Sequence, residues 1–305
     1  MRINFDDVFY TYSEKSPLAS AALKGINIDL DGHFFISLIG QTGSGKSTFT
    51  QLVNGLLVPS KGKVTIDQYS VHLGKRNKAY YEDNSLDLNS KKRKKRKQFD
   101  IKNLRKKAGL VFQFPEYQLF EREVISDVSF GPKNFGLSEE EAKKEAEKAI
   151  DLVGLGPSYY HRSPFELSGG EKRRVAIAGI LALEPDVLIL DEPTAGLDPQ
   201  GEKDMMALFK QIYQSGKSVI IVTHNMELVL KYCQKAVVMD HGEIYKVGTP
   251  LEIFQDKVLL DKTAIEPPEV FKVALKLIEA GLPISLKNVS DIDSLVEEIE
   301  KVKRK

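Results

Sequence analysis

The sequence predicts an α/β fold built on a sheet that contains buried parallel strands. Three observations carry that expectation. A glycine-rich loop, Gly40-Gln41-Thr42-Gly43-Ser44-Gly45-Lys46-Ser47-Thr48, joins the apolar run 34–39 to a segment of helical character, 46–57. Two further runs, 187–190 and 218–222, are apolar almost throughout rather than alternating, as strands buried on both faces are. Strand-like and helix-like segments alternate along this region, the pattern of an α/β sheet.

Taken in order, the runs 3–9, 25–30 and 34–39 read as strands, and the helix 46–57 follows the glycine loop. Pro59-Ser60-Lys61-Gly62 is a turn leading into a strand at 63–66. A strongly basic stretch interrupts, and order resumes at 108–112. Residues 138–152 read as a helix: Ser138 is a good cap with Glu141 three residues on, and Ala142, Ala146, Ala149 and Ile150 share a face. An apolar helix that begins basic spans 173–183, and a helix near 202–214 sits between the two buried runs. Residues 236–239 and 241–245 read as a closing hairpin. Beyond Pro250 the chain turns helical and polar, with amphipathic segments at 270–280 and 291–303, so a main domain over 1–250 and a small helical domain over 251–305 are expected. No internal repeat is visible.

Composition is that of an ordinary globular chain: 305 residues, 42% hydrophobic, 29% charged. No apolar run approaches the roughly 18 residues a membrane helix requires. Residues 1–7 lack the apolar core of a signal peptide. A single cysteine, Cys233, makes no internal disulfide, so a reducing cytoplasm is the expected setting, with any membrane association coming through a partner. The net charge of +1 conceals an asymmetry: residues 72–107 hold 14 Lys/Arg against 4 Asp/Glu, net +10, which leaves −9 for the remainder. The densest part, 91–97, repels itself and is expected to form a disordered or extended excursion. A solvated insertion, contact with an anionic membrane face and contact with nucleic acid are the three readings of it; nucleic acid is not the expected partner.

The glycine loop matches the phosphate-loop pattern GxxxxGK[ST] in full. Glycines let backbone N–H groups curl around phosphate oxygens without Cβ clashes, and a helix N-terminus adds partial positive charge. Lys46 is expected at the β- and γ-phosphates of ATP and Ser47 on Mg²⁺. Asp191 closes an apolar strand and is expected to hold Mg²⁺, while Glu192 polarises the attacking water as general base. His224 follows a strand end where ligands of open α/β sheets bind, and is a candidate γ-phosphate contact or water-orienting group. Gln113, after 110–112, is a candidate for Mg²⁺ and the attacking water. Ser168, Gly169 and Gly170, ahead of a helix starting near Glu171, offer a second anion-binding surface. Tyr12 offers an aromatic face to adenine, with Tyr10 as its competitor.

These motifs, in this order, resemble the ABC transporter ATPases over 1–250. The most specific feature is Leu167-Ser168-Gly169-Gly170-Glu171 ahead of Leu188-Ile189-Leu190-Asp191-Glu192. The resemblance implies an ABC-type nucleotide-binding domain, a mixed sheet with a helical subdomain. Gln113 becomes the Q-loop residue, 167–171 the signature, 195–198 the D-loop and His224 the switch histidine. It also implies a head-to-tail dimer in which Ser168, Gly169, Gly170 and Glu171 complete the partner's ATP site. The segments 112–121, 130–134, 162–166, 173–182 and 266–269 are similar to the energy-coupling factor (ECF) ATPases, most like the second of that family's paired subunits. That implies a related ATPase partner, a membrane scaffold subunit and, indirectly, a substrate-binding membrane protein for vitamins or metal ions. Residues 114–121 would receive a scaffold helix, with Glu116 and Glu121 pairing to its basic residues. Two features depart from the pattern: Glu171 stands where glutamine is usual, and the basic insertion is longer.

Overall fold

The computed structural model describes residues 1–74, 79–83 and 101–303. In chain order the first elements are β1 (Arg2–Tyr12), β2 (Ser20–Asp31), β3 (Phe35–Ile39), α1 (Lys46–Val53), β4 (Lys61–Ile66), β5 (Tyr69–Leu73), β6 (Ala79–Asp83), α2 (Lys102–Lys107) and β7 (Ala108–Val111). Three helices follow: α3 (Val124–Asn134), α4 (Glu139–Leu152) and α5 (Gly169–Leu181). Then come β8 (Val187–Asp191), α6 (Pro199–Gln214), β9 (Ser218–Val222), α7 (Met226–Tyr232), β10 (Lys235–Asp240) and β11 (Glu243–Gly248). The C-terminal helices are α8 (Pro250–Phe254), α9 (Lys257–Thr263), α10 (Glu269–Glu279) and α11 (Ile292–Lys303).

Two sheets result. An antiparallel five-stranded sheet has the order β2-β1-β4-β5-β6, and a six-stranded sheet the order β11-β10-β3-β9-β8-β7. In the second sheet β10, β3, β9, β8 and β7 pair in parallel, and the β10–β11 hairpin closes it antiparallel. Side chains alternate across these central strands. Phe35, Leu188, Leu190, Val219 and Ile221 pack on one side with α3, α4 and α5; Ile36, Leu38, Val187, Ile189 and Ile220 pack on the other with the antiparallel sheet and α1. Burial on both faces is why these runs are uniformly apolar.

The structure refines several expected boundaries. The helix after the glycine loop ends at Val53, not 57, because Gly55 takes a left-handed φ of 69° and terminates it. α5 starts at Gly169 rather than 173, since Ser168 caps it, and α6 starts at Pro199 because Asp198 accepts the Gly201 N–H. The predicted α4 is present with its Ser138–Glu141 capping box and its four buried face residues. Residues 79–83 pair with β5 as an edge strand, and Lys107, in α2, bridges Asp67 and Asp186 at 3.4 and 2.5 Å. The run 91–97 lies outside the described residues.

At the C-terminal end Ile253, Phe254, Leu259 and Phe271 join the main core. Val270, Ala274, Ile284, Val289 and Leu295 form a small cluster of their own between α10 and α11. Among the described residues no helix is long and apolar enough to cross a membrane.

Candidate functional site

The register of the parallel sheet brings the chemistry to one edge. Val111 lies beside Leu190, Asp191 beside Val222, and Val222 beside Leu38. The glycine loop after β3, Asp191 and Glu192 at the end of β8, Thr223 and His224 after β9, and Gln113 after β7 therefore all emerge at the C-terminal ends of the strands, where ligands of such sheets sit. A cavity of about 570 Å³ opens there, lined by Gly40, Gln41, Lys46, Glu192 and His224 and by 263–266. A cavity of about 600 Å³ at the opposite, N-terminal edge is bordered by Gly32, Asp186 and Lys217 and shares none of these groups.

Within the loop the glycines are required at two points. A Cβ on Gly40 would stand 2.1 Å from the Met239 carbonyl oxygen, and one on Gly45 2.7 Å from that of Ala22; both have positive φ, 145° and 102°. Lys46 Nζ donates to the carbonyls of Gly40 and Gln41 at 2.7 and 2.8 Å, so the ammonium lies over the loop itself. Burial lowers the Lys46 pKa, and the Glu192 and Asp191 carboxylates work against that.

Ser47 Oγ donates to Asp191 Oδ2 at 3.3 Å. Burial raises the Asp191 carboxyl above its ordinary range, although the Ser47 hydrogen bond and Lys46 oppose this. Two hard oxygen donors this close, one of them a carboxylate with too little positive charge around it, suit a small divalent cation. Glu192 sits on a turn with a left-handed φ of 47°, uncommon for a residue with a side chain, and the turn is pinned by its N–H donating to Val222 O at 2.9 Å. Its Oε1 is 2.9 Å from His224 Nδ1, so in the Nδ1–H tautomer the imidazole donates to the carboxylate. The Glu192 side chain is only 18% exposed while His224 is 82% exposed, leaving the imidazole open toward anything entering the cavity. Tyr12, exposed at the loop's flank, shares a 3.1 Å hydrogen bond with Thr48 and meets Tyr10 edge-on at 4.8 Å. Thr42 and Gly43 are exposed, Ser44 is buried, and Gln113 is exposed on the same strand edge.

Comparison with known proteins fits this geometry. The ABC transporter family profile matches residues 23–195. The energy-coupling factor transporter ATP-binding protein EcfA2 of Streptococcus pyogenes serotype M5 (strain Manfredo) is 46% identical over 285 residues, 93% of this chain and 94% of that protein. The chain belongs to the ABC transporter ATPases, among the energy-coupling factor ATP-binding proteins. It is an ATP-binding, ATP-hydrolysing cassette. Among solved structures, cbiO1 from Clostridium perfringens, part of the ABC transporter complex cbiONQ, superposes with a TM-score of 0.68 at 35% identity, covering 92% of this chain and 96% of its own. The cassette MJ0796, as a dimer in a post-hydrolysis state bound to ADP and Pi, gives a TM-score of 0.63 at 27% identity, covering 81% of this chain and 98% of its own.

Residues 168–171, expected to form the signature, lie elsewhere on the molecule. The described residues that line the cavity at the C-terminal strand edge do not include 168–171. Ser168 Oγ accepts the Glu171 N–H at 3.3 Å, and the Glu171 carboxylate accepts the Ser168 N–H at 2.8 Å and the Tyr159 hydroxyl at 2.7 Å. The Tyr159 hydrogen bond, then those of Ser168, hold the Glu171 carboxyl below its ordinary pKa. Gly169 and Gly170 would meet nothing within 4 Å if each carried a Cβ, and both lie in the first turn of α5. Among the described residues nothing asks for glycine at either position.

Sequence reasoning assigned Glu116 to a partner, and the structure corrects this. Arg173 donates to both Glu116 oxygens, at 2.8 and 3.1 Å, and to the carbonyls of Pro193 and Ala195 at 3.1 and 2.8 Å. The pair is internal, with side chains 4% and 14% exposed for Arg173 and Glu116. Burial works against ionisation of Glu116, but the Arg173 hydrogen bonds outweigh it and hold the carboxyl below its ordinary value. In the sequence Arg173 stands at a basic helix start and in the ECF-like segment 173–182, with no internal partner expected. Its helical spacing to the buried Ile177 and Leu181 is the signal that places it on the inward face.

Proposed function

We propose that this chain powers an ECF importer from the cytoplasmic face of the cell membrane. It would work head to tail with a second, related ATPase, bound peripherally to a membrane scaffold that carries a substrate-binding membrane subunit for vitamins or other micronutrients. Residues 251–305 would serve in pairing the ATPases. The observation that carries the in-trans part of this reading is the pair Gly169 and Gly170, whose lack of side chains answers to no neighbour among the described residues. A ligand that approaches the backbone N–H groups closely, such as a γ-phosphate on a partner's loop, supplies the reason.

Hydrolysis follows from the catalytic edge. Lys46 and the loop N–H groups would hold the β- and γ-phosphates, and Tyr12 would stack on adenine. Ser47 and Asp191 would hold Mg²⁺, with Gln113 near it; when bound, the ion neutralises charge developing on the phosphate oxygens. Glu192 would take the proton of the attacking water as it adds in line to the γ-phosphorus. His224 would keep the Glu192 carboxylate aimed and meet the γ-phosphate with its exposed face. Tyr117 and Phe120, 85% and 55% exposed, support a docking role for 114–121, in which Glu121 rather than Glu116 remains available to a basic partner.

The test is co-expression with the genomic neighbours, purification from detergent-solubilised membranes, and identification of what accompanies the chain. Recovery of a related ATPase and a membrane scaffold is the expected result. Recovery alone, or with nucleic acid, would overturn the importer reading.

A further inference from the structure

The cavity at the catalytic edge has a wall that the nucleotide motifs do not account for. Thr263, Ala264, Ile265 and Glu266 line it together with Lys46 and Glu192. Gln41, the second residue of the phosphate loop, reaches across and donates from Nε2 to the Thr263 carbonyl at 3.3 Å, joining positions 222 residues apart. That carbonyl is well fixed. Thr263 is 1% exposed, its hydroxyl donates to Leu259 O at 2.8 Å, and Ala264 turns the chain out of α9 with a left-handed φ of 47°.

A second set of contacts runs to the same C-terminal helices from the other flank. α7 begins two residues after His224. Its Glu227 accepts the N–H of Glu269 at 2.9 Å, at the start of α10, where Pro268 provides no side-chain cap. Its Lys231 pairs with Asp291 at 2.7 Å, just ahead of α11. The phosphate loop and the His224 element, the two segments that would bracket a γ-phosphate, each hold the C-terminal helices by hydrogen bonds.

We propose that the segment 263–266 is a working wall of the nucleotide site, with Gln41 as the positioning residue that ties it to the phosphate loop. Through this tie the C-terminal region distinguishes a triphosphate from a diphosphate. The inference rests on the ATP-site reading of the cavity. A γ-phosphate entering between Lys46 and His224 meets the Gln41 side chain, so the Gln41–Thr263 hydrogen bond is rearranged by ATP and left alone by ADP. By linkage, a C-terminal segment held in one arrangement then changes the relative affinity for the two nucleotides.

Hydrogen–deuterium exchange on the purified ATPase complex tests this, with a non-hydrolysable ATP analogue, ADP, or neither. Peptides over 40–48 are expected to be protected by both nucleotides. Peptides over 257–268 are expected to change exchange by threefold or more with the analogue alone. Gln41→Ala is expected to abolish that change while protection of 40–48 persists, and to shift the ATP-to-ADP affinity ratio about threefold to tenfold, the worth of one hydrogen bond. Equal exchange at 257–268 with both nucleotides overturns the proposal, as does an analogue-specific change that survives in Gln41→Ala. The wild-type comparison decides by itself if the variant folds poorly. Loss of protection at 40–48 with both nucleotides would instead sink the ATP-site reading, a separately visible failure.

Discussion

Replacing Arg173 with methionine would measure how firmly the helical layer is fastened to the strand edge that carries Asp191 and Glu192. Methionine keeps most of the apolar stem but removes the guanidinium that serves both Glu116 oxygens and the carbonyls of Pro193 and Ala195. Glu116 is left as a mostly enclosed carboxylate without its counter-charge. Breaking a buried pair from one side costs about 3–5 kcal/mol. The Glu116 side chain keeps 14% of its exposure, so water reaches it and the lower end applies, about 3 kcal/mol. At about 2–4 °C per kcal/mol for a large domain, the thermal midpoint should fall by about 6–12 °C. Thermal unfolding followed by circular dichroism, with urea titration alongside, reads this directly. Adding Glu116→Gln should recover at least half, since the stranded charge is then gone. A carboxyl held below its unfolded value contributes stability above that value, about 4.3 for glutamate, and loses it as pH falls through the lower folded value. The gap between wild type and Arg173→Met should therefore narrow in acid. A single-variant loss under about 1 kcal/mol, or a double variant no better than the single, would refute the argument that this pair is structural.

Glu192→Gln is expected to slow phosphate release about 10²–10⁴-fold while equilibrium ATP binding persists; unchanged turnover would remove Glu192 as the base. Asp191→Asn should melt higher than wild type at neutral pH without Mg²⁺, yet lose Mg²⁺-dependent hydrolysis. Burial raises the folded-state pKa of this carboxyl, so its contribution is present below the unfolded pKa and lost as pH rises through the folded one; a melting point that fails to rise contradicts this. Glu171→Gln removes a carboxylate from the first turn of α5 and should tighten ATP-dependent pairing with the second ATPase, read as complex lifetime by light scattering; weaker pairing would mean that the charge is needed there. Arg173→Lys keeps the charge but not the fork, and should lower substrate uptake per ATP hydrolysed in reconstituted vesicles; an unchanged ratio would show that the fork carries nothing between the elements it joins.

What was legible in the sequence is what is encoded locally. The glycine loop, the β8 end at Asp191 and the α4 capping box each fit within a handful of residues, so a short window contains the physical reason for each. The uniform burial of β3, β8 and β9 followed from their apolar runs, and parallel pairing then forced their ends, and the candidate site, to a common edge. The misreadings lie where a partner is distant. Glu116 and Arg173 are 57 residues apart, and a lone glutamate beside exposed aromatics reads as a surface group until the arginine on α5 is known to face inward. Gln41 and Thr263 are a longer case, and the hydrogen bond goes to a backbone carbonyl, which has no letter in a sequence. Strand β6 was hidden for another reason: at an exposed edge, the pairing partner β5 rather than hydrophobic pattern decides strand formation.

These distant contacts share a geometry. Phe114 and Tyr117 bracket Glu116 on the segment after Gln113, with their rings open to solvent, and Phe114 also lies under the Arg173 guanidinium at 5.7 Å. Arg173 in turn holds the carbonyls of Pro193 and Ala195, the first and third residues after Glu192. Arg173 also stands two residues beyond Glu171 on α5. One buried cation thus connects an exposed aromatic face, the turn that carries Glu192 and the helix that starts at Gly169. A flexible surface pair would absorb displacement of the aromatic segment, whereas a bidentate pair in a packed layer passes it on, because its hydrogen bonds weaken steeply with distance and angle. On this geometry Arg173 is the residue that ties 114–121 to the turn after Glu192, by two hydrogen bonds to Glu116 and two to the carbonyls of Pro193 and Ala195.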